Sequence, residues 1–264
     1  MELRIDALQL LSESNPNNKV VGVSRLCKAW CANLVQLNVK EEIAHSLPIP
    51  GRPRLPELVS PLAVARRKMN TVEGRAASIH ALAHIEFNAI NLALDVIWRF
   101  SGMPLNFYSD WLKVANEESL HFSLLNEHLI SLGFNYGDFQ AHNSLWEMAE
   151  KTKEDILARI ALVPRTMEAR GLDATPALRA KFVQAGDTKA ADILDIILRD
   201  EIGHVLIGNR WYAWLCSLRN LDPITTYTKL ANQYAAPVLR GPFNIEARLA
   251  AGFSQEEILS LSPK

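Results

Sequence analysis

A chain of 264 residues, 48% hydrophobic and 22% charged, carries enough apolar material for a sizeable core and is too apolar to stay disordered. Its formal net charge of −1 gives no general attraction to nucleic acid or to an anionic membrane, and the short basic run Arg66-Arg67-Lys68 reads as a solvated patch. The three cysteines form no C-x-x-C pair, which excludes an iron–thiolate electron-transfer centre within these residues.

Cys27 and Cys31 lie four apart on one predicted helix face. With Cys216, they are expected to be buried or half-buried thiols in a reducing compartment. The opening Met1-Glu2-Leu3-Arg4-Ile5-Asp6 lacks the basic and apolar regions of a leader, and no run of about 18 apolar residues occurs. A cytoplasmic protein without membrane association is the expectation.

Residues 1–46 predict one or two amphipathic helices broken by Asn15-Pro16-Asn17-Asn18. Pro48, Pro50, Pro53, Pro56 and Pro61 then mark 47–62 as an extended stretch, either an arm on the main domain or a flexible linker. Asn70 and Glu73 have capping-box spacing and predict a helix running to about Phe100, before Gly102 and Pro104. A second helix is expected from about Ser109 to Leu132. A third should run from about Ser144 to Arg170, kinked at Pro164, with a short helix starting near Thr175-Pro176 and ending at Gly186. The fourth long helix is expected over 188–218. The tail carries another capping-box spacing, Ser254 to Glu257. The reading is all-α: N-terminal helices and arm over 1–70, a four-helix bundle over 71–220, and a C-terminal extension over 221–264.

Six residues interrupt the apolar faces of these helices. Glu86 falls among Ile79, Leu82, Ala83, Ile90, Ala93 and Ile97. Glu118 and His121 fall among Trp111, Val114, Leu125 and Leu129. Glu201 and His204 interrupt Leu194, Ile197, Leu198, Val205 and Trp211, and Glu168 follows Leu157, Ala161 and Pro164. Glu147, Glu150 and Glu154 share the predicted helix of Glu168 and are alternatives to it.

A buried glutamate is costly unless it is paired, and four would repel one another. Two divalent cations would neutralise four carboxylates, with two neutral imidazoles completing the set. Both pairs are Glu-x-x-His, which places the two side chains on one helix face about 4.5 Å apart along the axis. Glu86 and Glu168 precede their pairs by 32 and 33 positions. This is the helix-by-helix pattern of ferritin-like carboxylate proteins. Mixed carboxylate and imidazole donors suit iron, with manganese the alternative. His80, His84, Glu117 and His128 read as packing or surface residues, with His84 and Glu117 also candidates to touch a ligand. Asp95, Asp195 and Asp200 are candidates to orient the histidines.

Four stretches carry a family resemblance: Gly74-Arg75-Ala76-Ala77, His80-Ala81-Leu82-Ala83-His84-Ile85-Glu86, Glu168-Ala169-Arg170-Gly171-Leu172-Asp173 and Gly241-Pro242-Phe243-Asn244. With them the chain resembles a bacterial ferritin-like family, the domain of unknown function numbered four-five-five, over nearly its whole length. The resemblance implies a ferritin-like fold and a di-metal site, and little about substrate. The wider superfamily includes rubrerythrins, a tRNA hydroxylase and other di-iron oxygenases and oxidases. Glu86, Glu118, His121, Glu168, Glu201 and His204 match its ligand pattern.

The expected function is therefore a di-iron hydroxylase or oxidase using dioxygen or peroxide on an organic substrate. Its electrons would come from a separate donor such as a ferredoxin, flavodoxin or reductase. Rubrerythrin-like peroxide or iron handling is a second expectation, and a helical module with a structural metal a third. Nucleic acid is not an expected partner; self-association is compatible with the sequence.

Overall fold

The first helix, α1 (Leu3–Ser12), begins where the Glu2 carboxylate accepts from the Ile5 N–H, and it buries Leu3, Ala7 and Leu11. The next, α2 (Pro16–Cys31), starts inside the predicted break. The Asn15 side chain accepts from the N–H groups of Asn17 and Asn18, and Pro16 occupies a position whose N–H has no helical partner. The computed structural model describes residues 1–65 and 67–261; Arg66 of the basic run lies outside the described residues.

The described residues of 32–71 contain no helix, and hydrogen bonds tie several of them to the neighbouring elements. Gly51 N–H donates to Leu11 O at 2.7 Å, Val59 N–H donates to Ala141 O at 2.8 Å, and Glu57 O accepts from Ala141 N–H at 3.0 Å. The buried Lys19 ammonium donates to Leu11 O, Gly51 O and Asn91 Oδ1. Within 47–62, Gly51, Glu57 and Val59 are thus bonded to α1, to Lys19 and to Ala141.

Helix α3 (Val72–Arg99) begins at Thr71, whose hydroxyl accepts from Gly74 N–H at 3.0 Å. This corrects the expected Asn70–Glu73 box: the helix starts one residue later, and Glu73 pairs with Arg67 instead. Helix α4 (Leu105–Ser131) starts a turn before Ser109, directly after Pro104, and stops at Gly133, which has a φ of 86°. The short connection between them makes α3 and α4 an antiparallel hairpin. Helix α1 packs on α3 and α2 on α4. These elements form one compact unit, Met1–Ser144.

A second unit begins at Leu145. The single helix expected over 144–170 is instead broken into α5 (Ser144–Lys151), α6 (Ile156–Leu162) and a π-helical turn (Val163–Glu168). Asp155 caps α6 by accepting from Leu157 N–H, which resets the chain after Lys151. Pro164 does not simply kink the helix. The turn widens, Ala169 N–H donates to Pro164 O, and the Thr166 hydroxyl satisfies Ala161 O at 2.8 Å. Helix α7 (Ala169–Gln184) then runs through Gly171 and Thr175-Pro176, where a stop and a start were expected. Helix α8 (Thr188–Leu218) has the expected bounds and is capped by Asp187.

The tail forms α9 (Pro223–Gln233), α10 (Ile245–Ala250) and α11 (Gln255–Leu261). The expected box is present: Glu257 accepts from Ser254 N–H, and Ser254 Oγ accepts from Glu257 N–H. Ala169, Leu172, Val205, Ala247, Ala251, Phe253 and Ile258 form a core that joins α10 and α11 to α7 and α8. Among the described residues the protein is all-α, with two isolated bridges and no strand. None of the described helices is long and apolar enough to cross a membrane.

Candidate metal centre

In the first unit, the apolar seam of the α3–α4 hairpin carries Glu86 from α3 and Glu118 and His121 from α4. These side chains are 3%, 0% and 0% exposed, so water does not solvate their charges. His121 Nδ1 lies 3.1 Å from Glu118 Oε2 and 3.4 Å from Glu86 Oε2. Each of the three offers a donor atom within 4.8 Å of the others, a spread that one cation could span. Phe87 and Phe122, each next to a donor in sequence, close their rings to 5.7 Å and make the adjoining layer apolar.

The electrostatics follow from this burial. Desolvation, and Glu118 beside it, hold the Glu86 carboxyl well above the usual carboxylate range. Burial alone would lower the His121 imidazole, but the carboxylates of Glu118 and Glu86 outweigh it and push it up to about 11. Two carboxylates and an imidazole without water are neutral only when protons or a metal ion offset the anions. Oxygen and nitrogen donors without thiolate fit a first-row metal such as iron or manganese.

In the second unit, α8 presents Glu201 and His204 one turn apart, 7% and 1% exposed, with His204 Nδ1 3.7 Å from Glu201 Oε1. Glu168 is half-buried where the π-helical turn meets α7. π-helical turns often sit at functional positions because the extra residue re-aims a side chain. Glu147, Glu150 and Glu154 precede or fall within the break after α5, so they do not share Glu168's helix; Glu150 pairs with Lys153.

The residues set aside in the sequence have definite places. His80 is buried; its Nε2 accepts from Gly137 N–H, and desolvation lowers it to about 4. His84 is also buried. Its Nδ1 bonds the Tyr136 hydroxyl at 2.8 Å, and its Nε2 lies 3.2 Å from His142 O and 3.0 Å from Asn88 Nδ2. His128 Nδ1 bonds Ser131 Oγ. Asp195 is engaged by Arg179 at the surface, which corrects its assignment as a partner of a buried histidine. Asp95 and Asp200 bind Arg99 and Arg199. Cys216 is buried and Cys27 half-buried, but Cys31 is exposed, against expectation. Tyr136, which stacks on His80, was not signalled by the sequence. It lies in the turn after α4, outside any helical pattern.

The chain belongs to the family described as protein of unknown function (DUF455), whose model matches residues 12–259. It is 53% identical over 261 residues to an uncharacterised protein of Haemophilus influenzae, covering 94% of this chain and 89% of that one. No solved structure gives a significant match.

Proposed function

We propose that Glu86, Glu118 and His121 combine with Glu168, Glu201 and His204 as the ligands of one two-metal centre in a ferritin-like four-helix bundle. The bundle helices would be α3, α4, the α6–α7 run and α8. The centre, whose oxygen and nitrogen donors suit iron, serves an oxidoreductase that uses dioxygen or peroxide on an organic substrate. One observation carries the reading: two carboxylates and an imidazole converge at 3.1 and 3.4 Å inside an apolar helical hairpin. The same Glu-x-x-His spacing recurs on α8, with its own carboxylate and imidazole buried.

The four carboxylates and two imidazoles balance two divalent ions, and their donor chemistry fits them. Glu118 and Glu201 would hold the ions through their carboxylates, and His121 and His204 would each supply one nitrogen. Phe87 and Phe122 keep water from the donors. Bound metal would supply the redox capacity and the oxidant-binding position. No in-chain thiolate centre is available to deliver electrons, so a separate protein donor completes the cycle.

The test is to load the protein anaerobically with ferrous ion and expose it to dioxygen or hydrogen peroxide with a chemical reductant. Sustained consumption of either oxidant, lost in Glu118→Ala, supports the reading. Protein that binds metal stoichiometrically but consumes neither contradicts it.

A further inference from the structure

The arm and α3 line a cavity of about 310 Å³ that contains none of the proposed metal ligands. Its outer wall is arm, with Arg52 and Arg54; its floor is His84 and Phe87 of α3 and Tyr136 from the turn after α4. The wall is fixed in place from both ends. Gly51 is bonded to α1 and to Lys19, while Glu57 and Val59 bond Ala141. Gly137, at a φ of 112°, lets Leu55 approach; a Cβ there would lie 3.0 Å from the Leu55 Cβ.

The floor is equally ordered. Tyr136 lies over His80 and His84, its ring centre is 5.7 Å from that of Phe87, and its hydroxyl is held at His84 Nδ1. That hydroxyl keeps further hydrogen-bonding capacity beyond its one bond. We infer that this cavity binds a small organic carboxylate, its charged end against Arg52 and Arg54 and its apolar body on Phe87 and Tyr136.

Three observations select that class. The lining holds two guanidinium groups and one carboxylate, Glu57, whose Oε2 already accepts from Gln140 Nε2 at 2.8 Å. The lining is thus one positive charge in excess, which matches a monoanion better than a phosphate dianion. Guanidinium forks match a carboxylate as they do a phosphate, so the charge count and the aromatic floor make the choice. The volume lies at the low end for small-molecule sites, which favours a compact ligand. The aromatic floor requires an apolar body rather than a bare inorganic anion.

The site includes none of the proposed metal ligands and is testable in protein without metal. Calorimetric titration of the full chain would use benzoate, with benzyl alcohol as the neutral isostere and inorganic phosphate as the bare anion. The expected result is saturable binding of about one benzoate per chain, with benzyl alcohol and phosphate each at least about tenfold weaker. Arg52→Gln and Arg54→Gln should each weaken benzoate to a similar degree. Arg54 is exposed, so Arg54→Gln carries the test if the Arg52 variant does not fold. Absence of saturable benzoate binding, equal binding of benzyl alcohol or phosphate, or unchanged affinity in Arg54→Gln would overturn the inference.

Discussion

His121 and Glu118 stand one turn apart on α4, and the imidazole Nδ1 lies 3.1 Å from the carboxylate Oε2 with neither side chain exposed to solvent. The helix makes this pair by itself, because residues three apart share a face. What tertiary structure adds is Glu86, brought to 3.4 Å of the same nitrogen by α3.

Lys19 should make stability depend on pH. Burial lowers its ammonium to about 7; Glu13 opposes that shift and Arg52 reinforces it. Below about pH 7 the folded and unfolded chains both hold the proton. Between there and 10.5, the ordinary lysine value, only the unfolded chain does, so stability rises with pH across that window and is lost as pH falls through 7. The slope contributed is up to about 1.4 kcal/mol per pH unit. Urea unfolding at pH 7 and pH 9 should show this rise in the wild type and a smaller one in Lys19→Met. Equal slopes in the two proteins would refute the assignment.

The start of α3 distinguishes two neighbouring residues. Thr71→Ala removes the hydroxyl that accepts from Gly74 N–H and should cost about 1 kcal/mol. Asn70→Ala should change stability by well under half of that. Chemical denaturation of both variants checks the order; a larger loss at Asn70 would restore the cap read from the sequence.

Arg165 holds the second unit from within. Its Nε donates to Asn209 Oδ1 at 2.8 Å, it pairs with Glu257, and the rings of Tyr212, Tyr227 and Phe253 surround it at 4.6 to 5.1 Å. Arg165→Met strands the Glu257 carboxylate and empties an aromatic box, and should destabilise by about 3–5 kcal/mol. Arg165→Lys should recover only part of this, because an ammonium lacks the fork and the flat stacking face. Full recovery in the lysine variant would show that charge alone matters there.

Where a sequence signal and the local hydrogen bonding agree, the element was legible. Gly186 has a φ of 78° and Asp187 accepts from Ala190 N–H, so α8 begins where its composition says it should. Between 144 and 184 the signals mislead. An added Cβ at Gly171 would meet nothing within 4 Å, so that glycine is simply a half-buried helical residue and not a stop. Pro176 is accommodated within α7 rather than starting a new helix. The π-helical turn has no periodic signature; it depends on Pro164 withholding an N–H and on Thr166 bonding back to Ala161 O. The burial of Glu86, Glu118 and His121 together was legible because a charged residue on an apolar stripe is visible in one dimension. The Arg52–Tyr136 cavity was not, since it joins an irregular arm to a turn 84 positions away.

Metal stoichiometry tests the central claim most directly. Protein from iron-supplemented cells, or reconstituted anaerobically with ferrous ion, is compared by elemental analysis with a Glu118→Ala, Glu201→Ala double variant. The account predicts about two metal ions per wild-type chain and their loss from the variant. Wild-type protein without stoichiometric metal after reconstitution, or a variant that retains it in full, would contradict the account.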